Sequence, residues 1–139
     1  MFTIGYYEGG IWISMLFMSM LMGLLSVILG IVMYKKPPKK INGIYGYRTS
    51  TSMKTQHTWN FAQKYAGKVF AIYGLICTVL GGALYSTITL LVSEVRDLPT
   101  FVALGSVLVQ AIGLTLNIFP VEKALKENFD EFGDRKTVD

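Results

Sequence analysis

The residue types best suited to binding chemistry lie in residues 41–52, which read INGIYGYRTSTS. Arg48 stands between the turn-forming pair Asn42-Gly43 and a run of hydroxyl side chains at 49–52. A guanidinium carries five N–H donors in a fork that matches a carboxylate or a phosphate. We therefore expect Arg48 either to bind a lipid phosphate or a peptide carboxylate, or to hydrogen-bond free carbonyl groups at a helix end. The local sequence favours neither alternative.

The remaining reactive residue types argue against an enzyme. His57 is the single histidine and has no neighbouring carboxylate or cysteine, and the single cysteine, Cys77, lies in an apolar run as a small filler. The sequence contains no paired carboxylates near the apolar runs, no nucleophile with a matching base and no metal-ligand cluster. We predict a non-enzymatic protein without cofactor or metal. The net charge of +4 comes without a nucleic-acid-binding motif, so no nucleic-acid partner is expected.

Three long uncharged runs must position these residues. The chain is 52% hydrophobic and 16% charged, and residues 9–34, 69–93 and 98–121 contain no Asp, Glu, Lys, Arg or His. Each run exceeds the roughly 20 residues that a helix needs to cross a bilayer core. We predict an all-α integral membrane three-helix bundle in a single domain, residues 1–139. Its spans are expected at about 11–33, 69–92 and 98–120, with a motif loop at 34–68 and a tail at 121–139.

The distribution of basic residues predicts the orientation in the membrane. Residues 34–68 carry eight Lys or Arg and the tail carries four, whereas the loop between spans two and three has only Arg96 and the N-terminus has none. Positive charge stays on the cytoplasmic side. We therefore expect a multi-pass protein whose N-terminus is outside and whose motif loop and C-terminus are cytosolic.

Four lysines flank a diproline directly after the first span, namely Lys35, Lys36, Lys39 and Lys40. Such a cluster is attracted to anionic lipid at the membrane surface. It serves either as a topology determinant and surface anchor, which is the favoured interpretation, or as a specific site for a lipid headgroup.

Small residues recur at helical spacing in every span and predict faces for close helix packing, within the bundle or in a homo-oligomer. They are Ser19, Gly23, Ser26 and Gly30; Gly67, Ala71, Gly74, Thr78, Gly81 and Tyr85; and Ala103, Ser106, Gln110, Gly113 and Asn117. For Gln110 and Asn117 an interhelical hydrogen bond is favoured over a polar pocket. The lack of ionisable groups in the spans argues against a proton-coupled transporter.

Two amphipathic segments accompany the spans. From Met53 the pattern is helical, with hydroxyl residues 50–52 as candidate N-caps, and predicts an interfacial helix leading into or continuous with the second span. In the tail, an apolar stripe from Val121 to Phe132 predicts a short helix on the inner membrane surface, ended by Gly133. The last part of the tail is acidic, and we expect it to contact the basic motif loop through Glu127, Asp130, Glu131 and Asp134.

The ordered elements Asn42, Gly46-Tyr47-Arg48-Thr49, Trp59 and Gly67, on the way into a span, resemble the signature of the SdpI family. This family comprises bacterial membrane proteins named for immunity to a secreted sporulation-delaying peptide toxin. The resemblance implies that these seven residues are binding positions and that the chain is a membrane immunity protein of the bacterial cell membrane, with a peptide toxin as partner. The alternative is a signalling or scaffolding module whose basic loop recruits a soluble protein or an anionic lipid.

Overall fold

The structure is a computed structural model that describes residues 6–92 and 97–136, with side chains from Gly10 onward. It contains four α-helices: α1 (Tyr6–Lys35), α2 (Gln56–Leu91), α3 (Leu98–Leu116) and α4 (Ile118–Asn128). Within the described ranges, the only β-type pairing is an isolated bridge between Phe129 and Arg135. The prediction of an all-helical chain is confirmed.

Three of the helical segments are long and apolar enough to cross a membrane: Gly10–Lys35, Gln56–Leu91 and Leu98–Asn128. The third covers α3 and α4, which join at Asn117 with helical backbone angles. Only residues 98–121 of this segment are uncharged, so this is the part that suits a bilayer core, and the charged remainder of α4 begins beyond it at Glu122. These segments are consistent with the predicted membrane protein, by their length and composition. Arg96, which was counted for the orientation, lies outside the described residues.

The small-residue faces of α1 and α2 pack directly against each other. A Cβ atom on Gly23 would lie 2.5 Å from Oγ1 of Thr78, and one on Gly74 would lie 2.5 Å from the carbonyl oxygen of Gly23. Gly30 meets the backbone of Ala71 in the same way about two turns further along α1. The predicted close-packing faces of α1 and α2 are therefore used within the bundle, where small residues let the two backbones approach.

The polar residues of α3 behave differently from each other. Nε2 of Gln110 donates to the backbone carbonyl of Ser19 on α1 at 2.6 Å, and the Tyr73 hydroxyl on α2 donates to the backbone carbonyl of Gln110 at 2.6 Å. The predicted interhelical hydrogen bond of Gln110 is confirmed. The same prediction is wrong for Asn117, because it lies where α3 joins α4 and its buried Nδ2 has no partner among the described residues.

Helix α2 is one continuous helix of 36 residues, about 54 Å long at 1.5 Å per residue. Of the two expected arrangements, a helix leading into the span or one continuous with it, the structure has the continuous helix, because no proline interrupts the pattern after Gln56. The predicted N-caps at 50–52 are wrong. Thr55 caps the helix instead: its hydroxyl accepts from the backbone N–H of Thr58, while the Thr58 hydroxyl accepts from the N–H of Thr55.

Helix α4 packs against the protein. Val121 and Leu125 are fully buried and join a core with Met33, Tyr47 and Ala62, extended by Ala66 and Phe129. The apolar face predicted to lie on the membrane surface is therefore covered by the loop and α2.

The predicted end of the tail helix is also wrong. Helix α4 ends at Asn128, and Phe132 lies beyond it with 73% of its surface exposed. Gly133, with φ of +88°, belongs to the turn that the Phe129–Arg135 bridge closes. This turn is stabilised by Asp130, whose carboxylate accepts from the N–H groups of Phe132 and Asp134.

Candidate functional site

The connecting loop, residues 36–55, is held on α2 by Gln63. The Gln63 amide accepts from the N–H of Tyr47 and donates to the carbonyl of Tyr47, both at 2.7 Å, and Gln63 itself is fully buried. Sequence reasoning missed Gln63. The available signal was its spacing, since it lies four residues after Trp59 and four before Gly67, on the face that carries both predicted site residues.

Gly46 fits closely against this amide. Its φ is +113°, and a Cβ atom there would lie 2.5 Å from Oε1 of Gln63 and 3.0 Å from Cγ of Pro38. Only glycine adopts this backbone conformation without strain and leaves room for the amide. The role of Gly46 in the structure is therefore to let the loop approach α2.

Trp59 and Asn42 use their polar atoms to hold the loop. Trp59 is fully buried, and its Nε1 donates to the carbonyl of Pro38 at 2.8 Å. Oδ1 of Asn42 accepts from the N–H groups of Ile44 and Tyr45 at 3.0 and 2.9 Å, which closes an Asx turn. Both residues therefore hold the connecting loop in its conformation.

Gly67 contributes to packing. A Cβ atom on Gly67 would lie 2.7 Å from the backbone nitrogen of Tyr34 and 2.8 Å from the carbonyl oxygen of Gly30. Its lack of a side chain lets the end of α1 lie directly on α2, just below the connecting loop.

Glu122 of α4 joins the tail to the loop and was not predicted. Its Oε1 accepts from the Thr49 hydroxyl at 2.7 Å and from the Tyr47 hydroxyl at 3.0 Å. Among the described residues Glu122 forms no ion pair, and the ion pair of α4 is the exposed one between Lys123 and Glu127, at 3.9 Å. The hydroxyls that bind Glu122 come from more than 70 residues away, so local spacing gave no signal for them.

The predicted contact between tail and loop exists, but its predicted electrostatic basis is wrong. Lys54 donates to the backbone carbonyl of Glu131 at 2.7 Å, and the Thr55 hydroxyl donates to the carbonyl of Gly133 at 3.1 Å. The described residues show no ion pair between the loop and the four acidic residues of the tail. Exposed ion pairs contribute little, so hydrogen bonds from side chains of the loop to tail carbonyls and to Glu122, together with buried apolar contacts, determine the docking.

The environment of Glu122 keeps it ionised. Burial raises its pKa, but hydrogen bonds from Thr49, Thr51 and Tyr47 and the charge of Lys126 outweigh burial, so the pKa of Glu122 is lowered. The pKa of Tyr47 is raised by burial and by its hydrogen bond to Glu122. The pair is therefore an ionised carboxylate that accepts from a neutral phenol.

Arg48 is the exposed member of the motif. One of its guanidinium nitrogens donates to the carbonyl of Gly43 within the loop, and no carboxylate lies within ion-pair distance in the described part of the chain. Of the two expected roles, bonding to a free carbonyl is thus present, although the carbonyl belongs to a turn and not to a helix end. The remaining N–H groups of the guanidinium are donors that an anion can use.

The comparison with known proteins matches this region. The sequence model of the SdpI/YfhL protein family matches residues 39–120, which cover most of the loop, all of α2 and all of α3. The chain belongs to the SdpI/YfhL family. A relative in this comparison is the uncharacterized protein YfhL of Bacillus subtilis (strain 168), 41% identical over 69 residues. The match covers 50% of the chain and 63% of that relative. No solved structure matches.

The family match includes Gln63 and all the predicted motif residues, whereas Glu122 lies two residues beyond it. The loop and its support on α2 are therefore part of the region that the family model matches. The Glu122 carboxylate, which accepts hydrogen bonds from Thr49 and Tyr47, lies outside it on α4.

Two further surfaces flank the loop of this SdpI/YfhL chain. Lys35, Lys36, Lys39 and Lys40 are all exposed around the diproline, as the lipid-surface prediction requires. On the side of the tail, a cleft of about 520 Å³ lies between α2 and the bridge turn. It is lined by His57, Asn60, Phe61, Lys64, Phe129, Asp134 and Arg135. Sequence reasoning missed this cleft because its two walls are far apart in the chain.

Proposed function

We propose that the protein is a non-enzymatic membrane immunity protein that protects its bacterial cell from a membrane-active peptide. The observation that carries the proposal is the SdpI/YfhL match over residues 39–120, which contains the whole Asn42–Thr49 motif. The geometry is consistent with binding, because the loop is ordered around buried partners and leaves the Arg48 guanidinium exposed.

In this proposal the anionic group that Arg48 binds is a carboxylate of the peptide or a phosphate of the lipid that the peptide attacks. A guanidinium binds either group with two parallel hydrogen bonds. Gln63, Trp59 and Asn42 hold the loop before a ligand arrives, so little conformational entropy is lost on binding. The other members of the motif then act by positioning Arg48.

The proposed location is the bacterial cell membrane, with the N-terminus outside and the loop and tail in the cytosol. It is supported by the excess of Lys and Arg in residues 34–68. In this orientation Arg48 meets a peptide, or the lipid it disturbs, on the inner side of the membrane. Two further partners are proposed. The exposed lysines around the diproline would bind anionic lipids, and the remaining helix faces would bind a second copy of the chain.

The test is survival of a sensitive bacterium that expresses the chain. Cells with the full chain or an empty vector are exposed to secreted bacterial membrane-active peptides, one at a time. The proposal expects higher survival for at least one peptide, with no chemical change in the recovered peptide by mass spectrometry. Equal survival for every peptide, at verified membrane levels of the protein, would contradict it, and a cleaved or modified peptide would contradict the non-enzymatic part.

A second candidate function is a recruiting module for signalling, and the cleft of about 520 Å³ favours it. Its volume falls in the range of small-ligand sites, and Phe61, Phe129, Lys64 and Arg135 offer apolar and cationic contacts to a protein segment. Pull-down from membranes would compare the wild type with a Lys64→Gln/Arg135→Gln variant and a variant lacking the Lys35–Lys40 charges. A recruiter loses a soluble partner in one of these variants, whereas an immunity protein retains protection in both.

A further inference from the structure

A narrow apolar groove runs between α1 and α2 where the first span ends. It has a volume of about 210 Å³ and is lined by Ile31, Tyr34, Lys35, Gly67, Lys68, Ala71 and Ile72. Gly67 and Ala71 add almost no side chain to it, while Ile31 and Ile72 form walls that are 44% and 61% exposed. It is thus an open apolar groove on the outer surface of the helix bundle.

The groove crosses the boundary between the apolar runs and the basic segment. Ile31 and Tyr34 end the first uncharged run, and Ala71 and Ile72 lie in the second one, which begins at Val69. Lys35 and Lys68 are the first charged residues on the loop side of these runs. When the runs span a bilayer, the apolar part of the groove lies at the depth of acyl chains and the two ammonium groups lie at the level of headgroups.

The ammonium groups of Lys35 and Lys68 lie at the mouth of the groove, and no described carboxylate pairs with them. Nζ of Lys68 lies 5.4 Å from the ring centroid of Tyr34, a cation–π distance that keeps the ammonium near the groove. Residues 34–68 contain no Asp or Glu, and within the described structure neither Lys35 nor Lys68 forms an ion pair. The site therefore combines positive charge at its mouth with an apolar interior.

We propose that this groove binds one phospholipid with an anionic headgroup. The phosphate lies between the ammonium groups of Lys35 and Lys68, and an acyl chain lies along Ile31, Ala71 and Ile72. Charge complementarity and the apolar interior together select this occupant. The site differs from the general attraction of a basic surface to lipid, because lipid binding here requires the apolar groove beside Lys35 and Lys68. The proposal is independent of the immunity function.

The test measures lipid binding to the full chain in detergent by native mass spectrometry. Phosphatidylglycerol is titrated against wild type, Lys68→Gln and Lys35→Gln. Lys64→Gln is the matched control, because Lys64 lies one turn earlier on α2, is exposed and lines the other cleft. Each groove substitution is expected to weaken binding about fivefold, which corresponds to the roughly 1 kcal/mol that one cation contributes near an anionic surface. Lys64→Gln is expected to bind like the wild type.

Two further arms identify the source of the phosphate. Phosphatidylcholine with the same acyl chains is expected to bind more weakly than phosphatidylglycerol, and inorganic phosphate is expected not to displace the lipid. The proposal is overturned if Lys64→Gln weakens binding as much as Lys68→Gln, since the effect is then general surface charge. It is also overturned if the two lipids bind equally, or if inorganic phosphate alone competes and thereby reveals a phosphate site without a lipid.

Discussion

Replacing Gln63 by Leu removes the main attachment of the connecting loop to α2. The substitution keeps a side chain of similar size but removes both hydrogen bonds to Tyr47. The Tyr47 carbonyl keeps a second donor, the Ser52 hydroxyl at 3.1 Å, whereas the Tyr47 N–H loses the only partner that the structure gives it. The two losses are therefore unequal.

The magnitude follows from these two losses. A buried N–H without a partner costs about 1–3 kcal/mol, and the loss of the bond to the carbonyl costs about 1 kcal/mol more. The free energy of loop opening should therefore fall by about 2–4 kcal/mol, which is roughly a 30- to 700-fold increase in the population of the open loop.

Limited trypsin digestion in detergent measures this population, because cleavage after Arg48 and Lys54 requires the loop to open. When opening is fast relative to cleavage, the cleavage rate follows the open population. Gln56→Leu is the matched control, since Gln56 is exposed and bonds only to the carbonyl of Lys39 and to Asn60. It should accelerate cleavage by less than about tenfold. If Gln63→Leu were cleaved no faster than Gln56→Leu, the assignment of Gln63 as the support of the loop would be wrong.

Three other substitutions test the neighbouring contacts. Gly46→Ala should ease loop opening by at least about 1–3 kcal/mol in the same trypsin assay, because its φ of +113° is strained for alanine; an unchanged rate would contradict the required conformation. Because the pKa of Glu122 is lowered on folding, its stabilisation is present above about pH 4.5 and is lost as the pH falls through the lowered value. Glu122→Gln should therefore lower the melting temperature more at pH 7 than at pH 3, and an equal effect at both would refute the role of the charge. Gly74→Ala should lower the melting temperature, because the new Cβ would lie 2.5 Å from the carbonyl oxygen of Gly23, whereas Gly105→Ala enters open space and should be neutral or stabilising; equal effects would argue against the α1–α2 packing.

The apolar runs and the small-residue spacing were enough to predict three long helices and the close contact of α1 with α2. Both features depend on local composition and on the helical period, which the sequence displays directly. Gly23 and Gly74, for example, follow the predicted stripes and meet in the structure.

The connecting loop was predicted only in part. The motif residues Asn42, Gly46 and Trp59 were identified, but their contacts were not, because each depends on a partner brought close by the tertiary fold. Gln63 was missed since a polar residue on a basic amphipathic helix is usually exposed to solvent.

The tail shows a second limit of sequence reasoning. Its apolar stripe was correctly found, but a membrane surface and a protein surface are equally able to cover such a face. The buried contacts of Val121 and Leu125 with the loop decide between them, and these contacts join residues far apart in the chain. The same distance in sequence concealed the bonds from Thr49 and Tyr47 to Glu122.

The survival of cells that produce Arg48→Gln tests the proposed function most directly. The substitution removes one exposed cation and leaves Gln63, Trp59 and Asn42 in place, so the loop should remain folded, as measured by trypsin cleavage after Lys54 alone. Lys123→Gln, which removes an exposed cation from α4, is the matched control. At equal membrane levels and in the presence of a peptide against which the wild type protects, Arg48→Gln cells should die like empty-vector cells while Lys123→Gln cells survive. Full protection by Arg48→Gln would contradict the account of Arg48 as the group that binds the ligand.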